Sequence, residues 1–196
     1  MSRKIISLFT SLAFFIFLII FSCLSCQEKD SQDIGQDSLE ETEYIGKYHF
    51  SSDWFTNNIP RWKRILNRFK GKPNIHYLEI GVLEGRSLIW MLENILTHPT
   101  SKVTCIDIFP GNLKDRFFAN LKISGFADKV TTITGRSQVE LKRLFPESFD
   151  IIYIDGSHTA DNVLADAVLS WSLLKKEGLL IFDDYLWEQE IGRAHV

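Results

Sequence analysis

Cysteine is scarce in this chain of 196 residues: Cys23, Cys26 and Cys105 are the three. That is too few for a disulfide framework, and Cys105, inside an apolar run, reads as a small packed hydrophobe. Methionine is scarcer, with Met1 and Met91 alone. A later Met start would therefore fall inside the folded body, although a non-Met start codon stays open. Neither sign of charge is in excess: 22 Lys and Arg face 25 Asp and Glu, for a net charge of −3. A basic footprint for nucleic acid is missing, so nucleic acid is not among the expected partners. Length and a 45% hydrophobic content bound the chain to about one globular domain.

Part of that apolar content is concentrated at the N-terminus. Arg3 and Lys4 precede an uncharged run from Ile5 to Phe21, the pattern of an export signal or a membrane anchor. Ser22-Cys23 and Ser25-Cys26 offer two imperfect forms of a bacterial lipoprotein signal. Residues 1–26 are thus a cleaved, lipidated leader or an uncleaved anchor, and both leave the basic residues cytoplasmic. Association with a membrane through this segment is the expected localisation, with the side of the membrane open. Residues 27–47, rich in Ser, Gln, Asp and Glu, read as a polar linker. The body is expected over 48–189.

Within the body, Ile75 to Ile80 is β-branched and aromatic, Gly81 and Gly85 follow, and a helix begins near Gly85. Strand, glycine turn and helix start together leave unpartnered N–H groups facing a ligand. The spacing is Glu-x-Gly-x-x-x-Gly-x-Ser, with Leu83 where a dinucleotide fingerprint has its middle glycine. Ahead of it, Ile65, Leu66 and Phe69 mark a helix closed by Gly71, whose aromatics either pack over the sheet edge or line a substrate entrance. Behind it, the periodicity predicts a helix over 87–96, a strand over 103–108, a helix over 114–124, a strand over 130–134 with a short helix after it, a strand over 149–155, a helix containing Val163 to Trp171, and a strand over 179–182. Five strands alternating with four helices predict an α/β fold with a doubly wound, mostly parallel sheet. Its ligands belong at the carboxyl ends of the strands.

Four of those strands finish on acids: Glu79, Asp107, Asp155, and Asp183 with Asp184. Each alone is an ordinary cap or a solvated loop residue. Together on one rim they repel one another unless a cation offsets them, which a sulfonium cofactor, a metal ion or both would do.

The stretch from Tyr77 to Tyr185, with Glu-Ile-Gly-x-x-x-Gly-x-Ser and Tyr-Ile-Asp-Gly-Ser-His, resembles the class I S-adenosylmethionine (SAM) dependent methyltransferases, particularly the small-molecule O-methyltransferases. The resemblance implies a Rossmann-like fold in which Gly81 and Gly85 border the methionine part of SAM, with Glu79 and Ser87 in the same cofactor set. Asp107 would accept from the ribose hydroxyls, a role that its position one βα unit after the glycine turn also suggests. Gly135 to Ser137 would flank the adenine, and Asp155 would contribute to the cofactor site. Asp155, Asp183 and Asp184 look like that family's acidic metal set, in which Mg2+ orients and acidifies an acceptor hydroxyl. His158 is the candidate general base, with Asp155 beside it, and a helix-capping role is the alternative for that histidine.

The implied activity is methyl transfer to a hydroxyl of a small molecule or glycan. A nicotinamide dehydrogenase shares the sheet but is opposed by Leu83 and by the Asp-Gly-Ser-His step. A membrane-tethered binding module of the same fold is favoured by the leader, since SAM is made in the cytosol. A homo-oligomer stays open. The family continues past the fifth strand with a helix and an antiparallel strand pair, which this chain is expected to lack. Ile191-Gly192-Arg193-Ala194-His195-Val196 is what ATC GGA AGA GCA CAC GTC encodes, a match to a short-read sequencing adapter, so 190–196 are expected not to be native. Independently amplified genomic DNA encoding these six residues would refute that.

Overall fold

The computed structural model describes residues 43–183. The leader, most of the linker, Asp184 and the 190–196 segment lie outside the described residues. Among the described residues no helix is long and apolar enough to cross a membrane.

The described residues open with a hairpin, β1 (Glu43–Ile45) and β2 (Tyr48–Phe50), paired antiparallel. The last residues read as linker are therefore a strand. Gly46, at φ +66, supplies the left-handed residue of a two-residue hairpin loop. Helix α1 (Ile59–Leu66) follows and runs on through a 3-10 turn to Phe69.

The main sheet contains β3 (His76–Ile80), β4 (Lys102–Asp107), β5 (Val130–Thr134), β6 (Phe149–Ile154) and β7 (Leu174–Phe182). Its order is β5-β4-β3-β6-β7, and every pairing is parallel. Helices α2 (Arg86–Asn94), α3 (Leu113–Ser124), α4 (Ser137–Glu140) and α5 (Ala160–Leu173) make the crossovers. This is the doubly wound arrangement the sequence predicts. Strand order reverses between β3 and β6, so the crevice for a ligand opens there, above Gly81 and Asp155.

β7 starts five residues earlier than the apolar run at Leu179 suggests. Phe149 pairs with Leu174 and Ile151 with Leu179, so the chain between them is looped out. Glu177 at φ +65 and the Lys175 Nζ contact to Asp150 Oδ2, at 2.7 Å, hold the irregularity.

Two apolar layers sandwich the sheet. On one side Leu78, Ile80, Ile106, Ile152 and Ile154 pack with Leu141 and Leu173. On the other, Tyr77, Cys105, Ile151 and Tyr153 pack with α2 and α1. The aromatics of α1 serve packing: Trp62 is 2% exposed. Its ring meets Tyr153 edge-on at 4.8 Å, Phe55 at 4.8 Å and Trp90 at 5.9 Å. That cluster fixes α1 across β6 and draws the segment before it over the carboxyl end of the sheet.

Candidate active site

At the switch point the backbone is closely apposed. Gly81 sits at φ +82, and a Cβ there would lie 2.2 Å from the carbonyl oxygen of Asp155 and 2.5 Å from Cα of Gly156. Its N–H donates to Ile106 O at 2.9 Å, while Asp155 N–H donates to Ile80 O at 2.8 Å. The turn then closes through Gly85 N–H to Val82 O at 2.7 Å, with Gly85 at φ +87 as the residue before α2.

Asp107 organises the turns after β3 and β4. Its Oδ2 accepts the N–H of Val82 at 2.8 Å and of Leu83 at 3.1 Å, and its Oδ1 accepts the N–H of Phe109 at 2.6 Å. Leu83 and Phe109 both have positive φ, +48 and +47, in the left-handed region that is costly for side chains of that size. One carboxylate thus stabilises two strained residues. Three of its roughly four acceptor directions are used, and it stays partly exposed beside the glycine turn, where a ribose hydroxyl could donate to it.

Glu79 differs from the expectation for a cofactor contact. Its side chain is 0% exposed, beneath the turn, and it accepts from Tyr77 Oη at 2.7 Å and from the Ser87 hydroxyl. The rim therefore carries Asp107, Asp155 and Asp183, while Glu79 and Ser87 form a buried brace between β3 and α2. Burial pushes the Glu79 carboxyl up to about 8, with the Ser87 and Tyr77 hydrogen bonds opposing the rise and the Asp107 and Asp183 charges adding to it. At pH 6 the folded chain holds a proton at Glu79 that the unfolded chain, titrating near 4.5, has released. The native state binds more protons there, so this contribution to stability is complete below the unfolded value and is lost as pH rises towards 8. Glu79→Gln is expected to flatten urea-measured stability between about pH 5 and 8, removing a slope on the order of a few kcal/mol. An unchanged slope would refute the assignment.

Asp155 lies just past β6, where Tyr153 Oη donates to its Oδ2 at 3.1 Å. Asp183 lies just past β7 and its Oδ1 accepts from Asn58 Nδ2 at 3.0 Å. Burial first, then the charges of Asp155 and Asp183, push the Tyr153 phenol well above its usual range, so it remains a donor. The fold brings these two acids to neighbouring strand ends. Asp184, the third member of the expected metal set, is outside the described residues. Among the described residues no three His, Cys, Asp or Glu side chains group closely enough to hold a metal ion. His158 is exposed in the turn before α5. It is not the cap, because Thr159 occupies that position.

Gly135 N–H donates to Asp107 O at 2.9 Å, which docks the turn after β5 against the crevice. Ser137 is tied down at its hydroxyl, which donates to Asp166 Oδ2 at 2.9 Å. Gly135 also accommodates the Glu140 side chain, 2.9 Å from where a Cβ would stand.

A strap formed by residues 48–58 crosses this end of the sheet, and the sequence reading did not foresee it. Glu84, 2% exposed, accepts Ser51 N–H at 2.6 Å and pairs with Arg116 at 2.9 Å. Asn120 of α3 exchanges two hydrogen bonds with the backbone of His49, at 2.9 and 2.7 Å. Arg86, in the first turn of α2, pairs with Asp53 at 2.6 Å and reaches Ser52 O. Burial raises the Asp53 carboxyl, but the N–H groups of Thr56 and Phe55 together with Arg86 outweigh it and hold it below its usual value. The Glu-Gly-Arg of the glycine motif is thus a double anchor for the strap. Arg86→Ala should loosen it, costing about 1–2 kcal/mol and speeding hydrogen exchange at the amides of Phe55 and Thr56. Unchanged exchange there would show that the pair does not hold the strap.

A parallel sheet of this order, with a glycine turn facing an acid across the switch point, is a doubly wound α/β arrangement whose ligand crevice lies at that point. The pattern of a family described as a methyltransferase domain matches residues 78–185, more than half of the chain. The chain belongs to that methyltransferase-domain family. It is 30% identical over 129 residues to uncharacterized protein R132 of Acanthamoeba polyphaga mimivirus, a match covering 63% of this chain and 57% of that protein. The chain therefore spans little more than half the length of that relative. Among solved structures, the SAH-bound Podospora anserina methyltransferase PaMTH1 is similar at 24% identity and a TM-score of 0.50, over 61% of this chain and 48% of that one. The MycE methyltransferase of the mycinamycin biosynthetic pathway, in complex with Mg and SAH, is similar at 21% identity and a TM-score of 0.54, over 70% of this chain and 36% of that one. At such identities the likeness is one of fold, the Rossmann-like methyltransferase sheet.

Proposed function

We propose that the chain binds SAM in the crevice above Gly81 and transfers its methyl group to a hydroxyl of a small molecule or glycan. The observation that carries this reading is the Asp107 carboxylate, anchored on the glycine turn with acceptor capacity remaining, beside a backbone cradle that a single Cβ would fill. A bound SAM would supply an electrophilic methyl group carried on a sulfonium sulfur that can leave with the S–CH3 electron pair. In this reading Asp107 holds the ribose diol, Gly81 and Gly85 let the backbone approach the methionine part, and the rim acids Asp155 and Asp183 offset the sulfonium charge. His158, exposed one turn beyond Asp155, accepts the acceptor's proton at a ring nitrogen.

For Mg2+, the described donors are two carboxylates that each already accept a hydrogen bond from a neighbour. Among the described residues they do not make a complete set. Membrane attachment through residues 1–26 belongs to the same proposal and is tested by fractionating cells that express the full chain.

The test of the cofactor is calorimetric titration of the full chain with SAM and with SAH, with and without Mg2+, against Asp107→Ala. Binding by the wild type that the variant loses supports the reading. Binding of neither ligand to a folded wild type overturns it. Bound SAM without turnover across a panel of hydroxylated acceptors would leave a binding module in place of an enzyme.

A further inference from the structure

No acid falls between Trp54 and Leu78, a stretch that holds six cations, Arg61, Lys63, Arg64, Arg68, Lys70 and Lys72, in a protein whose net charge is −3. The fold gathers them on one surface. Trp62, Leu66 and Phe69 turn α1 and the 3-10 turn after it into the core, where Trp62 meets Tyr153 of β6. The opposite side of α1 therefore faces away from the sheet: Lys63 and Arg64 are exposed there and Arg61 is half-buried, and Arg68, Lys70 and Lys72 are exposed just beyond the helix. Among the described residues none of the six makes an ion pair, whereas Lys47, Arg86, Arg116, Arg143 and Lys175 all do. Arg68 has local partners instead, lying over the Phe69 ring at 4.6 Å and donating to Glu177 O at 3.0 Å. A solvated face ordinarily mixes both signs. One of a single sign, without internal partners, suits a surface of the opposite sign.

We propose that the outer face of α1, with the basic turn that follows it, is a docking surface for an anionic membrane and lays the folded body against lipid headgroups. The proposal rests on the reading of residues 1–26 as a membrane leader. Sixteen residues separate Cys26 from β1, and a tether of that length spans at most about 55 Å. A body held so close meets the headgroups at a high effective concentration, so cations too few to recruit it from solution are enough to orient it. The contact is one of charge. The apolar side of α1 is already used in the core, so nothing on it inserts into the lipid, and salt weakens the attachment.

The experiment mixes the full chain with vesicles of phosphatidylcholine alone or with a third of phosphatidylserine, and follows by mass spectrometry how fast a water-soluble amine reagent acetylates each lysine. Lys63, Lys70 and Lys72 are expected to react about tenfold more slowly on the anionic vesicles, and to recover in 0.5 M NaCl. Lys142, exposed beside Leu141 on the other side of the sheet, is the internal control and should not change. The double variant Lys63→Glu with Arg64→Glu, at two exposed positions, should lose most of the protection at Lys70 and Lys72. Equal reactivity on both vesicles, or protection that survives the double variant, would overturn the proposal. So would lysines already slow without vesicles and indifferent to lipid, which would show the face covered by the chain's own acidic residues 28–41, and so would protection by polyuridine RNA with none by phosphatidylserine. If the double variant fails to fold, the comparison of the two vesicles with wild type still decides. Flotation with phosphatidylcholine vesicles reports the leader separately: a chain that stays behind there refutes the leader reading, while the lysines on the anionic vesicles still test the basic face.

Discussion

Gly81→Ala should abolish SAM binding and lower stability by about 2–6 kcal/mol. Two independent effects act together. The residue sits at φ +82, where a side chain is strained whatever its surroundings. Its Cβ would also lie 2.2 Å from Asp155 O and 2.5 Å from Gly156 Cα, both backbone atoms that cannot swing aside as a side-chain end does. Relief requires β3 and β6 to part at the point where Asp155 N–H meets Ile80 O. Chemical denaturation gives the first quantity and titration with SAM the second. Stability within about 1 kcal/mol of wild type, with binding retained, would mean that the crevice relaxes around a methyl group and is not the tight cradle described.

Asp107→Ala carries the second large effect, and it acts on both fold and ligand. Three N–H groups lose a charged acceptor, and two of them belong to Leu83 and Phe109, which the carboxylate holds in the left-handed region. Hydrogen bonds to a charged group contribute about 1.5–3 kcal/mol each, and residues released from strain recover part of that. A net loss of about 2–4 kcal/mol of stability is expected, with SAM affinity down by on the order of a hundredfold or more. Asp107→Asn separates the two roles. Its single carbonyl oxygen serves either the Val82 and Leu83 pair or Phe109, so two of the three bonds or only one of them survive. If the asparagine variant matched wild type in both stability and affinity, the charge would be irrelevant and the ribose assignment would fail.

The sheet was legible because its strands are apolar on both faces and each is followed by helical periodicity. Val103 to Ile106 and Ile151 to Ile154 admit little else. The rim acids were legible because strand ends in a parallel sheet share a side, so Asp107, Asp155 and Asp183 could be placed without coordinates. Depth was not legible. Glu79 has the same sequence context as the others, yet it pairs with Cys105 and Tyr153, two residues short of Asp107 and Asp155, which sets it beneath the sheet's end, where Tyr77 and Ser87 meet it. Asp166 looked like one polar position in an ordinary helix, because its partners lie 28 and 29 residues away. The strap was missed for a similar reason: Asn120 and His49 are 71 residues apart. For the hairpin there was a signal, Gly46-Lys47 between Ile45 and Tyr48, but the acidic residues before it gave the stretch the composition of a tether.

The manner in which Asp107 holds the glycine turn has a kinetic consequence. A loop already braced in its final shape has little disorder left to lose when a ligand arrives, so association need not wait for a rare conformation. Departure is a different matter, because the strap crosses the same end of the sheet and is tied at Glu84, Arg86 and Asp183. Substitutions in the strap should therefore shorten the residence time of a bound cofactor while leaving its rate of arrival almost untouched.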